Sequence, residues 1–438
     1  MPATTISVPS VPRITKLTNC RLLRNSAFVP GDLWIDSATG KIIDAQAGFY
    51  NSGLAADAVI DMHNRIVSPG LIDVQLNGAF GFNFSTLLAD DAQYSKKMAL
   101  VNRQLIKTGV TGYLPTLTSQ LPELYQKALP HLAPSGKLRR PADGAESLGA
   151  HVEGPFLNTA KNGVHNRSCF LTASSFASLE ACYGAASLTP AYSALPNANG
   201  QGIASAIRMV TAAPELGRMT EEVIGELTER GIVFSIGHSA ATYDQALGAL
   251  DAGASMVTHL FNAMLPLHHR EPGVVGLLGG VGGRTMPSFG LIADGIHLHP
   301  AAVALAYKAH PEGLILVTDA MHLVGCDDGK YEFQMGDEMY KIVKQGSKLL
   351  LEGSETIAGS SITLLECINN FIAWTGASVA EALSAATETP ARVLGLGAVK
   401  GSLEHGADAD LVVFSEESDS GTTKLVVEEV WKFGERVV

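Results

Sequence analysis

A chain of 438 residues exceeds the length that one hydrophobic core usually serves, so a large domain with a smaller companion is the expected organisation. With 46% hydrophobic and 17% charged residues it is no disordered segment, and a formal charge of −12 leaves no surplus of cations for a general nucleic-acid binder, though a small anionic ligand stays compatible. The five cysteines are scattered without a CxxC pair, which argues against a disulfide framework or a thiolate zinc site and for a reduced, cytoplasmic protein.

The opening "MPATTISVPSVPRITKLTNC" has no apolar stretch of signal-peptide quality, and no run approaches the ~18 apolar residues of a membrane span. The chain therefore reads as soluble, with no membrane partner. Residues 14 to 67 follow as short alternating segments broken by Gly-containing turns, the pattern of a small antiparallel β-domain. The last stretch, "ADLVVFSEESDSGTTKLVVEEVWKFGERVV", has the same character. Both ends are thus expected to build one small β-sandwich domain, residues 1–67 with 399–438, around an inserted domain of residues 68–398.

The middle alternates short apolar runs with helical patterns, the mark of βα repetition around a parallel sheet. Its eight candidate strands are "IVSPGLIDVQL", "TGYLPTL", "SLGAHVEG", "IRMVTAAPE", "IVFSIGHS", "SMVTHLFN", "FGLIADG" and "LILVTDA". Helix candidates such as "DDAQYSKKMALVNRQLIKTG", "MTEEVIGELTERG" and "YDQALGALDAG" each place a Gly where a C-cap sits. Eight units predict a (β/α)8 TIM barrel. A doubly wound sheet is the competitor, weakened by the lack of a GxGxxG turn after the first strand.

Polar residues recur at the ends of these runs: Gln75 and Asn77, Glu153, His238, His259, Asp294 and Asp319. In a barrel those ends converge on one mouth. Glu153, His238 and His259 are a carboxylate and two imidazoles of the kind that hold a catalytic zinc or similar ion, with a fourth position left for water. A lone strand-end His is more often a hydrogen-bonded core residue; three coordinating types at one mouth shift the balance. Asp319 alone would serve equally well as a helix cap, but beside an acidified water it is suited to take and return a proton. His151, on the same strand face as Glu153, is a candidate support for the metal.

Together "SPGLIDVQLNG", "HVEGPFLNTAKNGVHN", "SIGHSAATYD", "THLFNAMLPLHHREPG", "IADGIHLHP" and "VTDAMHLVG" resemble the N-acetylglucosamine-6-phosphate deacetylase family of the amidohydrolase superfamily, over essentially the whole chain. The resemblance implies that Glu153, His238 and His259 bind one divalent metal, with zinc first and iron, cobalt or manganese as the other candidates. It implies that Asp319 is the general acid/base and that His165 contacts the acetyl carbonyl beside Val164. Asn262 and Ala263 match substrate contacts, Arg270 and His297 match a phosphate-binding pair, and Ile357, Ala358 and Gly359 match a loop near the sugar. Arg suits phosphate through its planar fork. His299 is the nearby alternative to His297, and Arg270 outside its motif would read as a surface ion-pair partner.

Many superfamily members carry His-x-His at the end of the first strand, where this chain has Gln75-Leu76-Asn77. Amides are poor ligands for a transition metal, so a mononuclear site is expected, with the two amides either lining the cavity or only hydrogen-bonding loops. The expected chemistry is hydrolysis of the acetamide of a phosphorylated amino sugar by a metal-activated hydroxide, releasing acetate and glucosamine 6-phosphate. The galacto epimer and a non-catalytic relative are the alternatives; presence of all three ligands and the acid/base disfavours the latter. The resemblance also implies a homodimer whose neighbouring subunit completes the phosphate site. Residues 169–205 form a loop longer than expected, of low charge and undecided role.

Overall fold

In this computed structural model, residues 12–44, 55–86, 88, 90–192, 195, 203–335, 338–419 and 421–438 are described. All eight predicted strands form: β1 (Leu71–Leu76), β2 (Val110–Leu117), β3 (Ala150–Glu153), β4 (Ile207–Ala212), β5 (Val233–Ile236), β6 (Met256–Val257), β7 (Ser288–Ile292) and β8 (Leu314–Val317). Each is buried along its length, as strands must be when side chains fill a barrel on one face and helices cover the other. They pair in parallel, in chain order, from β1 to β8.

Closure comes from the segments just past β8 and β1. Leu76 bridges Ala320 in parallel, the Asp319 amide donates to the Gln75 carbonyl at 2.9 Å, and the Asn77 amide donates to the Ala320 carbonyl at 2.9 Å. The ring of strands is a (β/α)8 barrel, and its closing seam lies at the end where candidate site residues gather.

The predicted run "IVSPGLIDVQL" divides into two strands. Ile66–Pro69 belongs to a second sheet, and β1 begins at Leu71. Gly70 is the pivot: a Cβ there would lie 2.0 Å from Thr111 Oγ1 of β2, so any side chain would push the barrel entry apart. The second sheet has eight strands, five from the first part of the chain and three from the last, which include the antiparallel hairpin of Leu411–Asp419 with Thr422–Lys432 and the edge strand Glu435–Arg436. It is mixed and not purely antiparallel, because Ile14–Arg24 pairs in parallel with Ala58–Asp61 and with Ile66–Pro69. Hairpin turns are visible in sequence; these parallel pairings come from longer connections that carry no turn signature.

Where this sheet meets the barrel, Lys400 and Lys432 bury their ammonium groups among Glu146, Asp408 and Asp410. Beyond β8 a four-stranded sheet, Gly329–Met335, Glu338–Gln345, Lys348–Leu351 and Ile357–Ser360, is inserted. The described part of residues 169–205 packs rather than projects: it forms helices Phe176–Tyr183 and Ala185–Leu188, with Leu179, Cys182, Tyr183 and Leu188 buried and the Tyr183 ring edge-on to Tyr125. Its residues 196–202 lie outside the described residues.

Candidate active site

Glu153 is the last residue of β3, and His238, His259 and Asp319 each lie two residues beyond β5, β6 and β8. All three of the latter are non-glycine residues in the left-handed region, with φ of 48°, 28° and 45°. Such backbone costs on the order of 1–3 kcal/mol per residue and persists where surrounding structure imposes it, typically at functional sites. Here it turns the side chains back over the barrel mouth.

The expected ligand set converges. Glu153 Oε1 lies 3.1 Å from His238 Nε2 and 2.9 Å from His259 Nε2, and those two ring nitrogens are 3.1 Å apart. All three residues are buried. His238 Nδ1 donates to the Lys161 carbonyl at 2.7 Å, which leaves the Nε2 lone pair free to face the centre. The turn after His238 is braced by Glu215, whose carboxylate accepts from Ser239 Oγ at 2.7 Å, from the Ala240 amide at 2.7 Å and from Asn158 Nδ2 at 2.9 Å.

Electrostatics favour a cation at this point. Burial opposes a charge on Glu153, yet the two histidines outweigh it and hold the carboxyl well below its ordinary range. Burial also opposes a charge on His259, and Glu153 reverses that, raising the imidazole to about 9. One carboxylate with two imidazoles is a donor set for zinc or a similar divalent ion. The buried acceptors Gln75 Oε1 and Asn77 Oδ1 have no hydrogen-bond partner in the protein, a surplus that a hydrated cation would relieve. The residues present therefore fit a single divalent metal. Another buried acidic group, Glu146 with Asp408 and Asp410, does not, because Lys400 and Lys432, with Lys41 and Arg139 on Asp408, already neutralise it.

The amides on β1 do more than line the cavity. Gln75 Nε2 donates to Glu153 Oε1 at 3.1 Å, and Asn77 Nδ2 donates to Asp319 Oδ1 at 2.7 Å. Each amide thus holds one of the two carboxylates. Asp319 is raised to about 6, first by burial and then by the charge of Glu153, with the Asn77 hydrogen bond acting the other way. Asp73, one turn of the pleat deeper, accepts from Thr318 Oγ1 at 2.6 Å and pins the end of β8.

His165 reaches the same centre from the loop after β3, its Nε2 3.8 Å from Glu153 Oε2. Burial and then the charge of His238 push it down to about 3, so it is a neutral imidazole. His151 is not brought to the ligands. Its ring nitrogens pair with the Val74 carbonyl at 3.0 Å and with Thr211 Oγ1 at 2.7 Å, and burial lowers it to about 4, so it is a core histidine of the barrel floor.

The expected substrate contacts lie around the mouth. His297 Nδ1 pairs with Asp294 Oδ2 at 2.7 Å; burial opposes its charge, but that carboxylate outweighs burial and raises the imidazole. His299, the alternative, caps the helix Pro300–Ala309 instead. Asn262 and Ala263 follow His259 directly, and the Ala263 carbonyl accepts from the Ser239 amide at 3.2 Å. Ile357, Ala358 and Gly359 sit in the last inserted strand, tied to the Asp319 turn by the Met321 amide donating to the Ser360 carbonyl at 2.9 Å. Val164 and Arg270 are exposed, and Arg270 lies in a turn.

The family model described as "Amidohydrolase family" matches residues 66–437. The chain is 40% identical over 97% of its length to a protein of Danio rerio named N-acetylglucosamine-6-phosphate deacetylase, covering 98% of that protein. It is 31% identical to an Escherichia coli O157:H7 protein named N-acetylgalactosamine-6-phosphate deacetylase, over 94% of this chain and 98% of that one. Among solved structures, a mutant N-acetyl-D-glucosamine-6-phosphate deacetylase of Mycobacterium smegmatis in complex with N-acetyl-D-glucosamine-6-phosphate superposes with a TM-score of 0.73 at 28% identity, over 98% of this chain and 100% of that one.

Proposed function

The chain belongs to the amidohydrolase family, among its N-acetylglucosamine-6-phosphate deacetylases, and from that premise we propose that it hydrolyses the acetamide of N-acetylglucosamine 6-phosphate to acetate and glucosamine 6-phosphate. The observation that carries this is the convergence of Glu153, His238 and His259 within 3.1 Å of one another. The animal relatives that match at 37–40% identity over more than nine-tenths of this chain are named for the gluco substrate, which supports that choice.

Glu153, His238 and His259 would hold one divalent metal, zinc in the first instance. When bound, such an ion supplies Lewis acidity and lowers the pKa of water toward ~7. Asp319 takes a proton from the attacking water and delivers it to the leaving amine nitrogen. A carboxyl raised to about 6 is matched to both halves of that task near neutral pH. His165, neutral and buried, donates a hydrogen bond to the acetyl oxygen as negative charge develops there.

His297, held by Asp294 and inclined to be protonated, and Arg270 bind the phosphate, so that charge recognised at one end positions the amide at the other. Val164, Asn262, Ala263 and the 357–359 segment line the sugar. The open setting of Arg270 suits a homodimer in which a second copy closes that side. Acetate release should be fastest with N-acetylglucosamine 6-phosphate, slower with its galacto epimer, and weak without the phosphate. Equal rates on phosphorylated and unphosphorylated sugars, or none on any, would overturn the proposal.

A further inference from the structure

Ser119 lies just past β2, buried, and no motif marks it. Its backbone N–H donates to His165 Nδ1 at 3.2 Å, and its Oγ lies 2.8 Å from the same nitrogen. A ring nitrogen that accepts from an amide carries no proton, so the hydroxyl must be a second donor to it. With Nδ1 occupied as an acceptor, the ring carries its one hydrogen on Nε2, the nitrogen that faces the Glu153 carboxylate across the site.

The surroundings hold Ser119 to this geometry. Tyr125 Oη shares its one hydrogen between the Thr118 carbonyl at 3.0 Å and the Gly154 carbonyl at 2.9 Å, fastening the Ser119 segment to the residue after Glu153. Gly154, at φ 83°, leaves the room: a Cβ there would stand 2.3 Å from Ser119 Oγ. The glycine beside the metal ligand is thus also what admits the serine.

We propose that Ser119 is a positioning residue that locks His165 in the tautomer protonated on Nε2, so that the imidazole presents a hydrogen-bond donor to the acetyl oxygen. This rests on the role given to His165 above. Without the lock, the proton placed on Nδ1 would leave a lone pair facing a developing negative charge.

The test is nitrogen NMR of zinc-loaded protein labelled in histidine, with His165 assigned by comparison with His165→Asn. An unprotonated Nδ1 and a protonated Nε2 are expected, and a proton on Nδ1 would overturn the inference while leaving the deacetylase reading untouched. Conversely, loss of acetate release from the wild-type protein would sink that reading and leave the tautomer standing. Ser119→Ala should keep its zinc and its KM while the Nε2-protonated population falls and kcat drops on the order of tenfold, as weakening of one oxyanion donor implies. Unchanged kcat and an unchanged spectrum in that variant would remove the serine hydroxyl from the lock.

Discussion

Asn77 Nδ2 donates to Asp319 Oδ1 at 2.7 Å, across the seam where the first and last barrel strands meet. The bond fixes one carboxylate oxygen and favours the ionised form. Replacing Asn77 by Ala should therefore lower kcat about tenfold, a fraction of the ~10²–10⁴ that a general base supplies, with KM little changed. Asn77→Asp, nearly isosteric but with no donor and a like charge, should be worse than Ala. Steady-state kinetics on the two variants decide this; equal activity in wild type and Asn77→Asp would show that the bond does nothing for the reaction.

Asp319 itself should be indispensable to turnover and dispensable for metal. Asp319→Asn is expected to lose roughly 10²–10⁴ in kcat while metal analysis still finds one ion per chain. The pH dependence follows from the sign of the shift. A base must be ionised to accept a proton, and burial with the Glu153 charge raises this carboxyl to about 6, so kcat/KM should fall as pH drops through that value. A bound cation opposes the rise and moves the limb lower, never higher. An acid limb well above 6 would assign the base elsewhere.

One metal per chain, not two, is expected because Gln75 and Asn77 spend their amides on Glu153 and Asp319. Chelation should abolish acetate release, and titrating zinc back should restore it at one equivalent. Glu153→Gln should lose the metal itself. Two equivalents bound in wild type, or full activity after chelation, would contradict the arrangement.

Phosphate recognition should separate from chemistry. Arg270→Ala and His297→Ala are expected to raise KM for the phosphorylated sugar at least tenfold, since charge-assisted hydrogen bonds are worth on the order of 1.5–3 kcal/mol. Their effect on an unphosphorylated sugar should be small. Comparable losses on both substrates would remove the pair from the phosphate site. Because Arg270 stands on an exposed turn, sedimentation of the wild-type protein belongs beside this test: a dimer is expected.

Barrel strands and the residues that converge at the mouth were legible because each leaves a local trace. Strands buried on both faces read as unbroken apolar runs, and Glu153, His238, His259 and Asp319 stand where those runs stop. Pairings made across the fold leave none. Ser119 meets His165 across 46 residues, Asn77 meets Asp319 across 242, and Glu215 braces the His238 turn from the turn after β4. His151 shows the converse. Its strand phase matched that of Glu153, yet its nitrogens were taken by Val74 and Thr211, a choice that depends on neighbouring strands. The β1 boundary was blurred for a local reason, since Gly70 divides an apolar run that alternation alone does not split.

Stability should hinge on the buried ions between barrel and β-sheet. Lys400 contacts Glu146, Asp408 at 2.8 Å and Asp410 at 2.6 Å, and Lys432 meets Glu146 at 2.6 Å and Asp410 at 2.7 Å. Burial penalises charge on Asp410, but Lys400 and Lys432 outweigh it and depress the carboxyl, while the acids hold Lys400 well above its ordinary range. Lys400→Met leaves Glu146 and Asp410 sharing Lys432 alone, while Asp408 keeps Lys41 and Arg139, and breaking such a set by removing one partner costs roughly 3–5 kcal/mol. The depressed Asp410 contributes stability that is present above its unfolded pKa of about 3.9 and is lost as pH falls through the lower folded value. Lys400→Met should shrink that acid-side dependence as well as the midpoint in urea, with zinc content unchanged in the folded fraction. A variant as stable as wild type would mean that Lys432, with Lys41 and Arg139 on Asp408, is enough to neutralise the cluster.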